Sequence, residues 1–290
     1  MPQLDAEQIS SLRPRLVRLA YRLLGSVSEA EDVVQEALLR FHRVEAEVDS
    51  PHAFLSRTVT RLCLDVLKSA RHKRETYVGP WLPEPIFDGE QDVSDDLTLA
   101  LMLALEKLSP LERAAFLLHD VFDVELGEVA ATLDREPAAC RKLATRAREH
   151  LRAARPRFNV SPERGAEIAH AFYVASRAGD VSALTRLLAE DVVVYSDGGG
   201  KRPAATKPVV GVSRVVRFYV GIAQKEGFCP SAGYRPARID GLPGFVTLSG
   251  DGLPQTTAVQ VDGDRIVAIY MVRNPEKLAR VRASEAVRGT

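Results

Sequence analysis

The sequence contains few cysteines and one tryptophan and has no net charge. The few cysteines and the balanced charge limit the kinds of site that the protein can contain. Among 290 residues there are three cysteines and one tryptophan, and 39 basic side chains balance 39 acidic ones. The three cysteines form neither a CxxC pair nor a zinc spacing, so we expect Cys63 and Cys140 to pack in a core in a reducing cytoplasm, and Cys229 stays unassigned. Because the net charge is zero, any nucleic-acid binding must depend on local basic patches.

Long apolar runs and cofactor motifs are also missing. No run of 18 apolar residues and no signal peptide is present, which predicts a cytoplasmic protein without a membrane span. We find no metal or cofactor motif. The glycine-rich loop at 197–201 (DGGGK) is not a P-loop, because it lacks the spaced first glycine and a Ser or Thr after the lysine. The length allows two or three domains.

Residues 125–152 are the most informative stretch. They predict a helix at 125–133, a tight turn at 134–137 and a second helix at 138–152 with one apolar stripe. Because the outer face of the second helix is basic, the pattern is typical of a helix-turn-helix that reads the DNA major groove. A solvated basic face on an ordinary helical hairpin is the alternative. The residues predicted to face DNA here are Arg135, Arg141, Lys142, Thr145, Arg146 and Arg148.

Residues 8–75 predict an all-helical segment. Ser28 is the expected N-cap of its second helix, with Glu31 completing a capping box. The third helix, from about residue 50 to 74, carries six cations in eighteen residues, more than its dipole needs, which predicts a surface for DNA phosphates. These cations are Arg57, Arg61, Lys68, Arg71, Lys73 and Arg74.

Residues 76–96 predict an extended linker. Three prolines between 80 and 85 exclude a helix, and acidic residues follow from 88 to 96. The linker contains Trp81, the only tryptophan, which we expect to dock on a folded surface. A solubilising tether is the alternative. Helices are predicted again at 97–107 and 111–122, the latter with Ser109 as its cap.

The last part of the chain mixes helices and strands. Helices are predicted from residue 162, at 181–188 and near 211–224, and strands at 191–196, 244–249, 256–261 and 265–272. Asp262-Gly263-Asp264 indicates a hairpin turn, and Asn274 is expected to cap a final helix. His170 lies in an apolar helical run and is expected to belong to the core. The pattern predicts an α+β domain with a curved sheet wrapped round a helix.

In this order, the motifs of residues 8–157 resemble a bacterial sigma factor of the extracytoplasmic-function (ECF) group. The resemblance implies that the helix at 28–43 (SEAEDVVQEALLRFHR) grips the polymerase clamp through Asp32, Gln35, Glu36 and Arg40, although a solvated face would show the same periodicity. It implies that the helix at 51–74 melts and reads the −10 element and that 125–152 reads the −35 element. Arg61 stands where the family usually has Asn. The implied partners are promoter DNA and core RNA polymerase, at its clamp and flap regions.

The C-terminal part resembles a SnoaL-like domain of the NTF2-like class. Three short motifs (WLPEP at 81–85, DGGGK at 197–201 and NPEKL at 274–278) are similar to those of sigma factors that carry such a domain in place of a separate anti-sigma protein, with Glu276 where Asp is expected. We hypothesise that they bring the linker onto this domain and control the sigma domains in cis. A passively fused domain is the alternative. The candidate regulatory residues are Trp81, Leu82, Pro83, Asp197, Gly198, Gly199, Gly200, Lys201, Asn274 and Pro275.

The predicted architecture is therefore two all-α sigma domains followed by an α+β SnoaL-like cone. We expect region 2 at 1–75, the linker at 76–96, region 4 with the helix-turn-helix at 97–157 and the regulatory domain at 158–290. The predicted function is an alternative sigma factor, not an enzyme, that acts in stress responses.

Two alternatives are kept. One is a polymerase-independent transcription regulator with a small-molecule ligand in the C-terminal domain. The other is a SnoaL-like isomerase or cyclase fused to a DNA-binding module. For that reaction the candidate acids are Asp197, Asp251 and Glu190, but no acid and base stand at a compelling spacing.

Overall fold

The computed structural model describes residues 6–44, 48–75, 77–87, 99–152, 160–225, 233–249 and 251–281. The chain divides into two compact units. One comprises Met1–Thr76, Glu90–Asp95 and Ala100–Arg155, and the other comprises Tyr77–Gly89, Asp96–Leu99 and Pro156–Thr290. The expectations for Cys229, for the acidic residues 88–96 and for the side chains of Arg71, Lys73 and Arg74 lie outside the described part. Among the helices described, none is long and apolar enough to cross a membrane.

The first unit begins with three helices, α1 (Ala6–Leu24), α2 (Val27–His42) and α3 (Pro51–Glu75). The prediction that Ser28 caps α2 is wrong. Gly25 (φ 72°) terminates α1, and Ser26, whose backbone is extended, caps α2 by accepting a hydrogen bond from the Glu29 N–H at 3.3 Å. Because only two residues separate the end of α1 from the start of α2 at Val27, Ser28 already lies inside the first turn of α2.

The second half of this unit contains α4 (Leu99–Glu106), α5 (Pro110–Phe116), a π-helical turn (Leu117–Val121), α6 (Leu126–Leu133) and α7 (Pro137–Arg152). The Ser109 capping box with Glu112 is confirmed. The predicted single helix at 111–122 is instead α5 followed by the π-helical turn. Asp134 ends α6 in the left-handed region (φ 54°) and so turns the chain into α7. As predicted, the α7 stripe faces the core, and its buried members are Cys140, Ala144, Ala147 and Leu151.

The second unit contains three helices and one sheet. The helices are α8 (Pro162–Ala178), α9 (Val181–Leu187) and α10 (Val212–Ala223). The strands are β1 (Leu188–Asp197), β2 (Val209–Val210), β3 (Tyr234–Ile239), β4 (Leu242–Leu248), β5 (Pro254–Asp262) and β6 (Arg265–Val272). They lie in the order β2-β1-β6-β5-β4-β3, and only the β1–β6 pair among them is parallel. The predicted β5–β6 hairpin is confirmed by the pairing of Asp262 with Arg265.

Two strands were not predicted. β2 has only two residues, too few for a periodic signal. β3 contains Pro236 and two arginines, which hide its alternation, but it is the last strand of the sheet, where a missing N–H is tolerated. Both departures lie at the sheet edges, and the predicted α+β class is confirmed.

A cluster of buried apolar side chains lies between the sheet and the helices. Phe172 of α8 and Tyr219 of α10 meet edge to face at 5.1 Å in a cluster that includes Val259 and Met271. The Tyr219 hydroxyl donates to the Met271 sulfur at 3.1 Å, so this buried polar atom is satisfied inside an apolar core.

Two expectations for this domain are wrong. His170 is exposed rather than buried, because it lies on the outer face of α8, with its ring 5.2 Å from that of Tyr234. The final helix after Asn274 is not formed within the described residues, where 275–280 make consecutive turns. Asn274 instead folds its side chain onto the next residues, because its Oδ1 accepts the Glu276 N–H at 3.1 Å.

Candidate linker clamp and nucleic-acid surfaces

Asp197, the last residue of β1, has a fully buried carboxylate with four hydrogen-bond donors. Its Oδ1 accepts the Tyr77 hydroxyl at 2.6 Å and the Gly199 N–H at 3.0 Å. Its Oδ2 accepts the Leu82 N–H at 2.9 Å and the Lys277 ammonium at 2.7 Å. Two of the four donors belong to the linker, so this carboxylate fastens the linker to the sheet.

Lys277 supplies the positive charge of this site. Its side chain is only 13% exposed, and its ammonium also donates to the Leu82 carbonyl. The same nitrogen lies 4.2 Å from the centroid of the Trp81 ring and 5.0 Å from that of Tyr77. The ammonium is therefore enclosed by a carboxylate, a carbonyl and two aromatic rings, each of which attracts a cation. We name the set Tyr77, Trp81, Leu82, Asp197, Asn274 and Lys277 the linker clamp.

Asn274 and the glycine-rich loop complete the clamp. The Asn274 amide donates to the Tyr77 hydroxyl at 3.0 Å, and its main-chain N–H donates to the Asp197 carbonyl at 3.0 Å. A Cβ on Gly199, whose φ is 60°, would lie 2.3 Å from the Asn274 amide nitrogen, and one on Gly198 would lie 2.2 Å from the Arg202 carbonyl oxygen. The loop therefore needs glycine so that Asn274 can approach. Lys201 forms an ion pair with Glu276 that joins the same two segments.

The Tyr77 phenol is held in its protonated form. Burial raises its pKa, and the hydrogen bond to the Asp197 carboxylate raises that pKa further. Tyr77 therefore remains a donor to Asp197 well above neutral pH, and the carboxylate keeps its linker contact.

The linker has a second attachment near the opposite edge of the sheet. The Ile86 carbonyl accepts the Asp240 N–H at 2.8 Å, Phe87 pairs with Ile239, and the Arg235 guanidinium lies 5.2 Å from the Phe87 ring centroid. Because Asp197 ends β1 and Ile239 ends β3, the two attachments are separated by three intervening strands. Residues 82–86 are all buried between them, so the linker is packed against this domain along its length.

The structure brings together several residues predicted as regulatory, and it adds two. Trp81, Leu82 and Asp197 meet directly, and Gly199 and Asn274 adjoin them. Pro83 is buried in the same segment, Gly200 faces Val78, and Pro275 lies in the turn after Asn274. Tyr77 and Lys277 were not predicted. Lys277 belongs to the NPEKL motif, so its signal was present, whereas no sequence pattern pointed to Tyr77.

The other candidate acids lie outside the clamp. Asp251 accepts a hydrogen bond from the buried Arg202 guanidinium at 2.9 Å, and Glu190 is exposed. Within the described residues, no group of three or more His, Cys, Asp and Glu side chains could hold a metal ion.

The face of α2 predicted to contact polymerase is open to solvent. Asp32, Gln35 and Arg40 are exposed, and Arg40 pairs with Glu36 at 2.7 Å on the surface. Leu39 stands among them with 44% of its surface exposed. A charged face with one exposed leucine is available for a protein partner, and its role stays a prediction.

Most of the residues of α7 that are predicted to contact DNA are exposed to solvent. Arg141, Lys142, Thr145 and Arg146 are exposed on the side opposite the buried stripe. Arg148 differs, because its guanidinium pairs with Asp120 of the π-helical turn at 2.6 Å. Arg135 is exposed in the turn and donates to the Asp134 carbonyl. Their DNA contacts stay predictions.

The described cations of α3 differ in whether their charged groups are free to contact solvent or are held by other groups of the protein. Arg57 is exposed, and Lys68 pairs with Asp65 at 3.0 Å on the surface. Arg61 instead donates to the main-chain carbonyls of Ala131 and Thr132 at 3.1 and 3.2 Å. Its guanidinium is therefore engaged within the protein in this structure.

Comparison with known proteins shows the family to which the chain belongs. The model of Sigma-70 region 2 matches residues 8–73 and that of Sigma-70 region 4 matches residues 98–151. The ECF RNA polymerase sigma factor SigJ of Mycobacterium tuberculosis is 37% identical over 291 residues, which cover 94% of this chain and 93% of SigJ. The chain belongs to the ECF sigma factor family. The protein is thus an alternative sigma factor for transcription initiation, as predicted, and a sigma factor catalyses no reaction of its own.

Other matches to known sigma factors also extend over the C-terminal domain of this chain. A probable ECF sigma factor of the same organism, SigI, is 30% identical over 285 residues, 93% of each chain. The crystal structure of M. tuberculosis SigJ matches with a TM-score of 0.77 at 36% identity, over 95% of this chain and 98% of that one. The predicted fold class is confirmed as two helical sigma segments followed by a C-terminal α+β domain, which the SigJ structure shares.

Proposed function

We propose that the C-terminal domain controls this sigma factor in cis by holding the linker in the clamp. The observation that carries the proposal is the Asp197 carboxylate, which is buried and fastened to the linker by Tyr77 and Leu82. A buried carboxylate is stable only while its partners remain, so release of the linker is unfavourable unless something replaces them. A competitor that binds the released linker would offset this cost through its own contacts with the linker.

Polymerase is the competitor we propose. The linker connects the segment matched to region 2 with the segment matched to region 4, which end and begin at residues 73 and 98. While residues 77–87 are packed on the C-terminal domain, they cannot also pass through a channel of the polymerase. Once released, residues 76–98 form a tether that could extend to about 80 Å. Linker release therefore sets how far the two promoter-reading segments can separate.

We assign the DNA-reading and polymerase-binding roles to the solvent-exposed faces of α7, α3 and α2. Arg141, Lys142, Thr145 and Arg146 read the −35 major groove, where each well-formed bidentate arginine–guanine contact contributes about 1–3 kcal/mol of discrimination. The α2 face binds the polymerase clamp, and the exposed α3 cations track DNA phosphates near the −10 element. The sigma factor acts where core polymerase works, in the cytoplasm.

We infer that the C-terminal domain acts by binding the linker rather than by catalysis through Asp197. Phe172, Tyr219 and Met271 belong to its buried core, and the Asp197 carboxylate already has four donors. An acid–base residue needs an accessible carboxyl within reach of a substrate. The linker occupies that carboxyl, so we assign the domain a mechanical role.

Run-off transcription with core polymerase on a library of promoter fragments tests the control. Wild type is compared with Lys277→Met, which opens the clamp, and with Lys207→Met, which removes an exposed lysine of the same domain. We expect promoter-specific transcripts from all three and an at least threefold change in yield for Lys277→Met only. Equal yields from the three proteins would refute control through the clamp. A truncation after residue 157 is a poorer test, because it would also uncover Leu82 and Ile86.

Core-enzyme binding tests the α2 face separately. Asp32→Ala with Glu36→Ala should weaken binding of core polymerase by about tenfold, whereas Glu7→Ala on the exposed side of α1 should not. Undiminished binding by the double variant would assign the polymerase contact to another surface.

A further inference from the structure

Within the described residues, three arginines join the helices matched to region 2 with those matched to region 4 through hydrogen bonds to main-chain carbonyls. Arg61 of α3 donates to the Ala131 and Thr132 carbonyls. Arg113 of α5 donates to the Leu23 carbonyl at 2.7 Å, and the same nitrogen pairs with the Glu106 carboxylate at 2.6 Å. Arg15 of α1 donates to the Phe122 carbonyl at 3.3 Å. These contacts lie within the first compact unit.

The acceptors share one kind of position. Ala131 and Thr132 lie in the last turn of α6, Leu23 lies in the last turn of α1, and Phe122 directly follows the π-helical turn. The last carbonyls of a helix lack intrahelical partners and carry the negative end of the helix dipole. Each arginine therefore satisfies groups that would otherwise need water. The Arg22 guanidinium reinforces one of these contacts by lying 5.1 Å from the Phe122 ring centroid.

Arg61 differs from the other two, because it is also a predicted DNA contact. Its Nε and one terminal nitrogen face the two carbonyls, and this is the edge that an arginine uses for a bidentate phosphate contact. Arg61 cannot hold both partners at once. Hydrogen bonds from arginine to a charged phosphate are roughly twice as strong as those to neutral carbonyls, so DNA has the advantage in a direct exchange.

We propose that Arg15, Arg61 and Arg113 form a latch that closes the region 2 helices on the region 4 helices in the DNA-free sigma factor, and that promoter phosphates open it by displacing Arg61. The latch lies wholly within the first unit, so it goes beyond control through the linker clamp. Promoter binding and opening of the sigma helices are then coupled, because the Arg61 guanidinium must leave the α6 carbonyls in order to bind a DNA phosphate.

Distance measurement between two spin labels tests the latch in the full-length chain. Labels at Glu29→Cys on α2 and Glu149→Cys on α7 use exposed positions outside the latch. Cys229 is replaced by Ser, and the buried Cys63 and Cys140 are left in place. Pulsed electron–electron double resonance then gives the populations of molecules with short and long label-to-label distances in the absence of DNA.

The variants separate the latch from charge alone. Arg61→Ala should raise the ratio of open to closed molecules about fivefold, the factor that corresponds to about 1 kcal/mol for such a hydrogen-bonded group. Arg57→Ala, one helical turn earlier, removes an equally exposed predicted DNA contact and should leave the DNA-free distances unchanged. Arg61→Lys keeps the charge but loses the forked geometry and should fall between wild type and Arg61→Ala.

Adding a promoter duplex completes the test. In the wild type it should shift the distances toward those of DNA-free Arg61→Ala. Identical DNA-free distances for wild type and Arg61→Ala would overturn the proposal, and so would equal opening by Arg57→Ala and Arg61→Ala. Promoter binding by the wild type with unchanged distances would overturn the displacement step. Lys277→Met opens the clamp but leaves Arg61 in place, so the latch should keep its DNA-free label distances equal to those of the wild type. Longer distances in Lys277→Met would show that the linker clamp, and not the latch, holds the closed state.

Discussion

Replacing Lys277 with Met is the sharpest perturbation of the clamp. Methionine keeps most of the apolar stem but removes the ammonium that lies against Asp197, whose carboxylate is fully buried. Removing one partner of a buried ion pair leaves an uncompensated charge and typically costs about 3–5 kcal/mol. Asp197 keeps its hydrogen bonds from Tyr77, Leu82 and Gly199 in the variant, so we expect the lower end, about 3 kcal/mol. At about 2–4 °C per kcal/mol, the melting temperature should fall by about 6–12 °C.

Trp81 makes the measurement specific to the clamp. It is the only tryptophan of the chain, and its ring contacts the lysine ammonium. Urea unfolding followed by tryptophan emission therefore reports the docked linker. In native buffer, Lys277→Met should also shift that emission to longer wavelength, because water reaches the ring. Lys207→Met is the matched control and should change neither signal.

A second variant decides whether the charge pair is the cause. Combining Lys277→Met with Asp197→Asn removes both charges, so the double variant should lose less stability than Lys277→Met alone, in spite of having two substitutions. The reasoning would be refuted if Lys277→Met cost no more than Lys207→Met. It would also be refuted if the double variant were the least stable of the set.

Three further outcomes follow from the same structure. Gly199→Ala should destabilise the C-terminal domain by about 1–3 kcal/mol in thermal unfolding, and by clearly more than Gly252→Ala, which has a similar positive φ (75°) but open space for a Cβ. Because the Tyr77 pKa is raised in the folded protein, its contribution to stability is complete below the unfolded value near 10 and is lost as pH rises beyond it. Tyr77→Phe should therefore flatten the fall in unfolding free energy between pH 9 and 11. In quantitative binding to a −35 duplex, Arg141→Ala should reduce affinity by about 1–3 kcal/mol and Arg148→Ala by less, because Arg148 is paired with Asp120.

Local patterns predicted the helical half of the molecule well, because caps and stripes act over a few residues. The Ser109 box, the α7 stripe and the turn into α7 were all readable. The Ser28 cap was wrong, because two serines stand close together and only the backbone decides which of them is extended. The π-helical turn has no signature that distinguishes it from an α-helix at this length.

The clamp could be predicted only in part, because its members are distant in sequence. Asp197, Trp81 and Asn274 were identified through motifs of a similar family, which gave the segments but not their contacts. Tyr77 carries no local signal, since its role depends on where the linker crosses the sheet. The engagement of Arg61 was equally hidden, because a helical cation that faces DNA and one that caps another helix have the same sequence pattern.

The separation of the clamp's parts along the chain also fixes its order of assembly on the ribosome. Leu82 and the Lys277 that holds its carbonyl are 195 residues apart. At about 5–20 residues per second, synthesis needs about 10–40 s to travel from one to the other. Within that interval synthesis completes the sigma helices α4 to α7, which end at Arg152, whereas the domain that covers Leu82 and Ile86 is completed only afterwards. A newly made chain is thus a sigma factor before it is a regulated one.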